Sequence, residues 1–367
     1  MSGDAETTNG TVVTGETAGT GAGNSTVDNE GGAGLPRRTA WQRLVGASTF
    51  WIGLVLVALY AVFSALSPNS FPTLYNFQTL LIEAAVLLVL SVGMTFVIIT
   101  SGIDLSVGSV LVFAGVAGAM TMEAVSPGGD ATQAGVGTIA LGLLLSLVSG
   151  AAWGLLNGLL IARFKIPPLI VTLGSFGAAL GAAQLLTGGV DVRTVPAALR
   201  DSLGFGQTFQ VPHMVLVAAV VTLFGAWLLH TTTFGRYTFA IGSNEEAARR
   251  VGISVTRHLV FVYTFVGLLA GLAGFMSLAY FGTTTIAGHS TDNLNAIAAT
   301  VLGGTSLFGG VGSVLGTVIG VFIPAVLQKG FVIVGVQPFW QPIAVSVVLV
   351  AAVWFDQKRR RARDSGR

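Results

Sequence analysis

From residue 49 onward the chain repeats one pattern, a long apolar run followed by a short polar break. The runs are 49–66, 80–99, 104–122, 136–161, 169–187, 213–230, 258–281, 311–333 and 338–355. At 1.5 Å per helical residue, runs of about 20 residues match the roughly 30 Å hydrocarbon core of a bilayer. A shorter apolar piece, 294–303, cannot span alone and is expected as a half-helix or re-entrant segment inside the bundle. Nine long spans and one short one predict an all-α integral membrane protein, a bundle of about ten transmembrane helices.

Glycine lies inside these runs at helical spacing. Gly150, Gly154 and Gly158 are four apart, as are Gly312, Gly316 and Gly320, and Gly267 with Gly271. Such small-xxx-small stripes let helix backbones approach closely in lipid. They serve ordinary packing or sliding surfaces.

Composition agrees with the pattern. Of 367 residues, 52% are hydrophobic and only 9% charged, against about 25% charged in soluble domains. Too few charges exist to cover a water-facing surface, so lipid is the expected solvent. Residues 1–40 differ. The first 36 are rich in Gly and Thr, acidic and nearly free of large apolar side chains. They are expected as a disordered tail, with docking as an alternative role. Lacking a basic start and an apolar stretch, they are not read as a signal peptide. Residues 41–357 form the membrane domain, with a charged loop at 231–257, and 358–367 is a basic tail suited to anionic lipid headgroups.

Charge sets the orientation. With a cytoplasmic N-terminus, inside segments hold 15 of the 18 Lys and Arg. These are Arg37, Arg38, Arg43, Arg163, Lys165, Arg236, Arg249, Arg250, Arg257 and the cluster from Lys358 to Arg367. Only Arg193, Arg200 and Lys329 fall outside. The positive-inside rule then places both termini in the cytoplasm. The chain has no cysteine, and its four histidines are scattered without an HExxH pattern. No metal, disulfide or catalytic residue is expected.

The loop 231–257 concentrates charge, and its centre reads "SNEEAARRVG". Ser243 followed by Glu246 has the form of a capping box. Glu245 and Glu246 suit the first turn of a helix, and Arg249 and Arg250 follow at i,i+4. Gly252 is a natural stop. A helix of about two turns is predicted, with Ala247, Ala248 and Val251 as a small flat face. So short a helix is marginal in water, so either a partner or the membrane surface holds it.

Two other breaks carry polar chemistry. In "TSGIDLSVGS", Thr100, Asp104 and Ser106 interrupt an apolar region. Asp104 is read as capping a helix that begins at Leu105, accepting from Ser106 or Val107 N–H. The alternative is direct solute contact. The stretch lies near the cytoplasmic side, which suits a gate or hinge. In "GGTSLFGG", Thr305, Ser306 and Phe308 sit between glycine pairs, either lining a pathway or forming a structural turn. His289 and Asp292 are expected at the outer mouth. Glu83 is read as an interfacial carboxylate, and Arg163 and Lys165 as anchors before Pro167 and Pro168, which start a helix.

Together these segments resemble the permease subunits of bacterial ABC importers, most closely the ribose/xylose/galactose group. The stretches are "GMTFVIITSGIDLSVGSV", "NAIAATVLGGTSLFGGVGSVLGT", "GLLNGLLIARFKIPPLIVTLG", "GVQPFWQPI" and the charged loop. The resemblance runs from about Trp51 to Asp356. It implies a bacterial plasma membrane protein with two permease copies. Two ATPase subunits dock below, and a periplasmic or lipid-anchored solute-binding protein docks outside. It implies that Ser243, Asn244, Glu245, Glu246, Ala247, Arg249, Arg250 and Gly252 form a coupling helix that enters a cleft of the ATPase. This chain departs from the family at Asn293 and Asn295, where acidic residues are common. Both stay among the candidate pathway or gate residues.

ATP and Mg are expected on the partner, not here. A Walker A loop needs Gly-Lys before Ser or Thr, and Lys165, Lys329 and Lys358 follow Phe, Gln and Gln. No nucleic-acid partner is implied. The transported solute is expected to be a monosaccharide. A branched-chain amino-acid permease is the alternative, and an ion-coupled transporter stands further off, because Asp104 and Glu83 lie at opposite faces. Paired carboxylates, Ser–Lys and His-rich patterns are missing, which argues against an intramembrane enzyme.

Overall fold

The computed structural model describes residues 48–289, 291–337, 339, 340, 342–344, 346, 347 and 350. The acidic tail 1–40, Arg37, Arg38, Arg43, most of the expected span 338–355 and the tail 358–367 lie outside the described residues.

Apolar runs become helices because a helix satisfies its own backbone in lipid. They are α1 (Ser48–Leu66), α2 (Leu74–Ile99), α3 (Val107–Ala124), α4 (Val136–Ala162), α5 (Pro168–Thr187) and α6 (His213–Thr231). Then come α7 (Thr233–Ser243), α8 (Glu245–Arg250), α9 (Val255–Phe281), α10 (Asp292–Leu302) and α11 (Val314–Val334). Seven of these, α2 to α6, α9 and α11, are long and apolar enough to cross a membrane. The short run at 294–303 is the 11-residue α10, and the described residues that lead to it from Gly282 are non-helical. Between α5 and α6 lie short helical turns over 197–204 and a two-residue ribbon, Gln207–Thr208 paired with Val211–Pro212.

α2 is the central helix, buried at every residue from Leu88 to Ile99. By contrast, α4, α5 and α6 expose Leu144, Val148, Leu173 and Leu223 on their outer faces, as lipid-facing helices do. Glycine fixes the pairing of α4 with α9. A Cβ on Gly150 would lie 2.8 Å from the Gly271 Cα, one on Gly154 3.0 Å from Gly267, and one on Gly158 2.8 Å from Val260. The helices are therefore antiparallel with their backbones in contact, and two glycine stripes are consumed by packing. Likewise a Cβ on Gly316 would lie 2.0 Å from the Gly303 carbonyl, and one on Gly320 1.9 Å from that of Ala299, which seats α10 against α11.

These directions place Arg163, Lys165, Arg236, Arg249, Arg250 and Arg257 at one end of the bundle, the arginine-rich end. Arg193, Arg200 and Lys329 lie at the far end. There Glu83 is ion-paired to Lys329 at 2.7 Å, joining α2 to α11. Pro168 opens α5, as the Pro-Pro pair indicates.

Gly267→Val should destabilise the fold by about 1–3 kcal/mol, because a Cβ there meets the Gly150 carbonyl at 2.2 Å. Gly137→Ala, where a Cβ meets nothing within 4 Å, should not. Thermal unfolding of the purified permease in detergent reads both, and equal midpoints would contradict the packing account.

Candidate functional site

Three irregular segments meet at and just below the arginine-rich end: the 100–106 break, the 303–313 loop and the start of α8. The first is the most buried. Helix α2 stops at Ile99, Ser101 takes a left-handed φ of 62°, and α3 starts only at Val107. Asp104 is therefore not an N-cap of a helix at Leu105. The chain stays non-helical through Ser106 with a bend at Leu105, so the Asp104 carboxylate reaches forward over that bend. Its Oδ1 accepts from the Ser106 N–H at 2.8 Å and the Ser106 hydroxyl at 2.6 Å.

That hydroxyl begins a longer chain. Asn157 Nδ2 of α4 donates to Ser106 Oγ at 2.9 Å, and the Ser175 hydroxyl of α5 donates to Asn157 Oδ1. Each proton has one direction, because a carboxylate accepts and Ser106 has a single hydrogen to give. Asp104, Ser106, Asn157 and Ser175 are all buried. The break is thus tied to α4 and α5, and the Thr172 hydroxyl of α5 shares its one proton between the Pro168 carbonyl at 2.9 Å and the Ile103 carbonyl at 3.3 Å. Sequence reasoning missed Asn157 and Ser175. Their only signal is a polar side chain within an apolar run.

From the opposite side the segment after α9 folds inward. Asp191 Oδ1 accepts from the Thr284 hydroxyl and the Ile286 N–H at 2.9 and 3.0 Å, holding this re-entrant loop. His289 Nδ1 faces Asp292 Oδ2 and its Nε2 faces Ser277 Oγ, both at 2.7 Å. His289 is buried against Ser277, which lies four residues before the far end of α9 at Phe281. A Cβ on Gly108 would lie 2.8 Å from the His289 carbonyl, roughly 24 Å along α3 from Ala124. The Ser–His–Asp order resembles a hydrolase relay, but Ser277 is 3% exposed and the adjoining cavity of about 10 Å³ admits no more than a water. It is a structural clip. Beside it, Asn293 Nδ2 donates to the Leu105 carbonyl at 3.0 Å, joining α10 to the break. Asn295 is buried in the same first turn.

Of the remaining candidates, Thr100 bonds back to the Val97 carbonyl at 2.8 Å. Thr305 and Ser306 are buried and Phe308 is exposed, all in the loop beneath α2. Asp104, Ser106 and Asn293 come together, whereas Thr305, Ser306 and Phe308 gather near α8. A larger cavity, about 450 Å³ between α1, α2 and α11, is lined by Leu56, Tyr60, Phe77, Leu80 and Phe322. Its walls are apolar, which suits lipid better than a polar solute.

The charged loop differs from expectation in its cap. Helix α7 runs through Ser243, so Ser243 cannot cap α8. Asn244, at φ −162° and ψ 101°, does so and accepts from Ala247 N–H at 2.9 Å. The i,i+4 pairs Glu245–Arg249 and Glu246–Arg250 both form. Gly252 ends the helix at φ 87°. The expected flat face is split: Ala248 turns inward onto Ile241 and Val255, while Ala247 and Val251 face solvent. Among the described residues no group of three or more His, Asp or Glu is placed to hold a metal ion.

Asp104→Leu should cost about 1–3 kcal/mol by leaving the Ser106 N–H and hydroxyl without their acceptor. Asp104→Asn, whose amide oxygen still accepts, should cost less. Equal losses in unfolding midpoint would mean that these bonds do not hold the break.

Comparison with known proteins supplies the wider context. Residues 76–353 match the family described as branched-chain amino acid transport system, permease component. The chain is 38% identical over 310 residues to the ribose import permease protein RbsC of Escherichia coli, covering 84% of this chain and 93% of that one. It is 32% identical over 316 residues to the fructose import permease protein FrcC of Rhizobium meliloti, covering 84% and 85%. It is also 32% identical over 309 residues to the autoinducer 2 import system permease protein LsrC of Yersinia pseudotuberculosis, covering 84% of each. No solved structure matches the chain. With three quarters of its length inside the family and its bundle of apolar helices, this chain is a member of that family of transport-system permease components.

Proposed function

We propose that this chain is the membrane-spanning subunit of an ATP-driven importer and passes a monosaccharide by alternating access. The observation that carries the substrate class is the 38% identity to a ribose permease over nearly its whole length. The family description names amino acids, so family membership alone does not choose between the two. The chemistry of the bundle favours the sugar. Among the described residues its buried polar groups are mostly hydroxyls and amides, with the imidazoles of His258 and His289, and the one buried carboxylate, Asp104, already accepts two bonds from Ser106. Asn293 Oδ1, Tyr263 Oη and Thr305 Oγ1 are buried without a hydrogen-bond partner among the described residues. Such spare capacity suits a hydroxylated solute. A zwitterion would need opposed charges.

The arginine-rich end faces the cytoplasm in this proposal, since it holds six of the nine described Lys and Arg. A second copy of the permease completes the pathway, and a solute-binding protein delivers the sugar at the far end. The ATPase binds at α8. Residues Asn244 to Arg250 present two carboxylates and two guanidinium groups to solvent on a cap-locked helix, and Ala248 fixes that helix to the bundle. The pathway or gate includes Asp104, Ser106, Asn293 and Asn295, with Thr100, Thr305, Ser306 and Phe308 at its inner end.

Uptake of labelled ribose, xylose, galactose, fructose and leucine, in cells with and without the chain, tests the substrate. Loss of one sugar's ATP-dependent uptake is expected. Loss of leucine uptake would establish the amino-acid reading instead, and uptake following only the proton gradient would remove the ATPase from the account. The double substitution Glu245→Lys and Glu246→Lys should weaken co-purification of the ATPase without altering membrane insertion. Undiminished co-purification would refute docking at α8.

A further inference from the structure

The start of α8 is locked to both non-helical segments of the bundle's inner end. Gly242, two residues before the Asn244 cap, lies directly against α2. A Cβ on Gly242 would fall 1.6 Å from the Ile99 carbonyl oxygen and 2.7 Å from the Gly310 nitrogen. The Gly310 N–H donates to that same Ile99 carbonyl at 2.9 Å. A Cβ on Gly309 would meet Ser101 Oγ at 2.0 Å, the Gly242 carbonyl at 2.7 Å and the Ile99 carbonyl at 2.9 Å. Three backbones therefore touch where no side chain fits: the end of α2, the end of α7 and the 303–313 loop.

Ser101, an exposed residue at the edge of this junction, has a side chain that bridges two of its segments. Its hydroxyl lies 3.2 Å from the Gly242 carbonyl and 3.0 Å from the Phe308 carbonyl. A hydroxyl has one hydrogen, so the two acceptors share it. Ser101 also holds a left-handed φ of 62°, a conformation uncommon for non-glycine residues and costly unless its surroundings fix it. Three residues later comes Asp104, whose carboxylate anchors the break between α2 and α3.

We infer that Ser101 is a positioning residue that joins the α8 helix and the 303–313 loop to the Asp104 break, so that movement of α8 is delivered to the break as a unit. This inference rests on the reading of α8 as the ATPase contact. Removing the Ser101 hydroxyl leaves the Gly310 N–H bond to Ile99 and the backbone contacts in place, so all three segments stay folded and together, but the chain beyond Ile99 loses its hold on Gly242 and Phe308. The effect belongs to the efficiency of coupling rather than to assembly.

The test uses the complete transporter, with its ATPase and binding protein, reconstituted in vesicles. Ser101→Gly removes the hydroxyl and accepts the positive φ without strain. Ser101→Asn restores a donor and tolerates the same φ. Sugar moved per ATP hydrolysed should fall about threefold or more in Ser101→Gly, the scale of one lost hydrogen bond, and recover in Ser101→Asn. A merely structural role would lower transport and ATPase activity together and leave that ratio unchanged. An unchanged ratio in Ser101→Gly overturns the inference, as does a drop that Ser101→Asn fails to reverse. Co-purification of the ATPase with the Glu245→Lys, Glu246→Lys variant is measured in parallel. Undiminished co-purification there, whatever the Ser101 ratio, would locate the failure in the docking reading.

Discussion

A backbone that leaves the helix inside a lipid-bounded bundle must find hydrogen-bond partners in the protein, because lipid offers none. The carbonyls of the 99–105 segment show how this chain meets that constraint. Ile99 takes the Gly310 N–H, Ile103 shares the Thr172 hydroxyl with the Pro168 carbonyl, and Leu105 takes the Asn293 amide. Each partner belongs to a different element: the 303–313 loop, α5 and α10. The break is thus held open by the elements around it, and any of them that moves must carry the break along or give up a hydrogen bond in a poorly solvated place.

The same constraint explains why glycine and small polar residues occur together here. Hydrogen bonds between backbones of different segments need close approach, and a Cβ at Gly242 or Gly309 would occupy the space the other carbonyl fills. Elsewhere, in α4 and α9, glycine lets two regular helices touch. At the inner junction it lets irregular backbones touch. The first use produces a rigid wall and the second a joint.

Much of the architecture was legible from hydropathy alone, since α2 to α6, α9 and α11 follow apolar runs. The half-length of α10 also followed, because eleven residues cannot span a bilayer. Other features were hidden for physical reasons. Helix α7 is too short and too polar to register between two spans, and missing it shifted the cap from Ser243 to Asn244. The re-entrant loop reads as an ordinary surface segment, since its Thr and Gly residues say nothing of Asp191, which lies 93 positions before Thr284 and holds it. Asn157 was overlooked in an apolar helix because its partner Ser106 is 51 residues away. Ser101 gave no signal, for a left-handed φ is not written in a serine.

The short α8 helix shows why the joint matters more than the helix. Six residues have little helical stability of their own. Its two ion pairs are solvent-exposed, and such i,i+4 pairs contribute about 0.3–0.5 kcal/mol each. The Asn244 cap adds about 1 kcal/mol, and inward packing comes from Ala248 alone. These terms keep α8 folded, but none gives it leverage over the bundle. Leverage requires a connection that does not yield, and the contact of Gly242 with Ile99 and Gly310 supplies one, backbone against backbone. A force applied to α8 therefore reaches the end of α2 before it is absorbed by side-chain motion, and the nearest place able to respond is the non-helical stretch ending at Ser106.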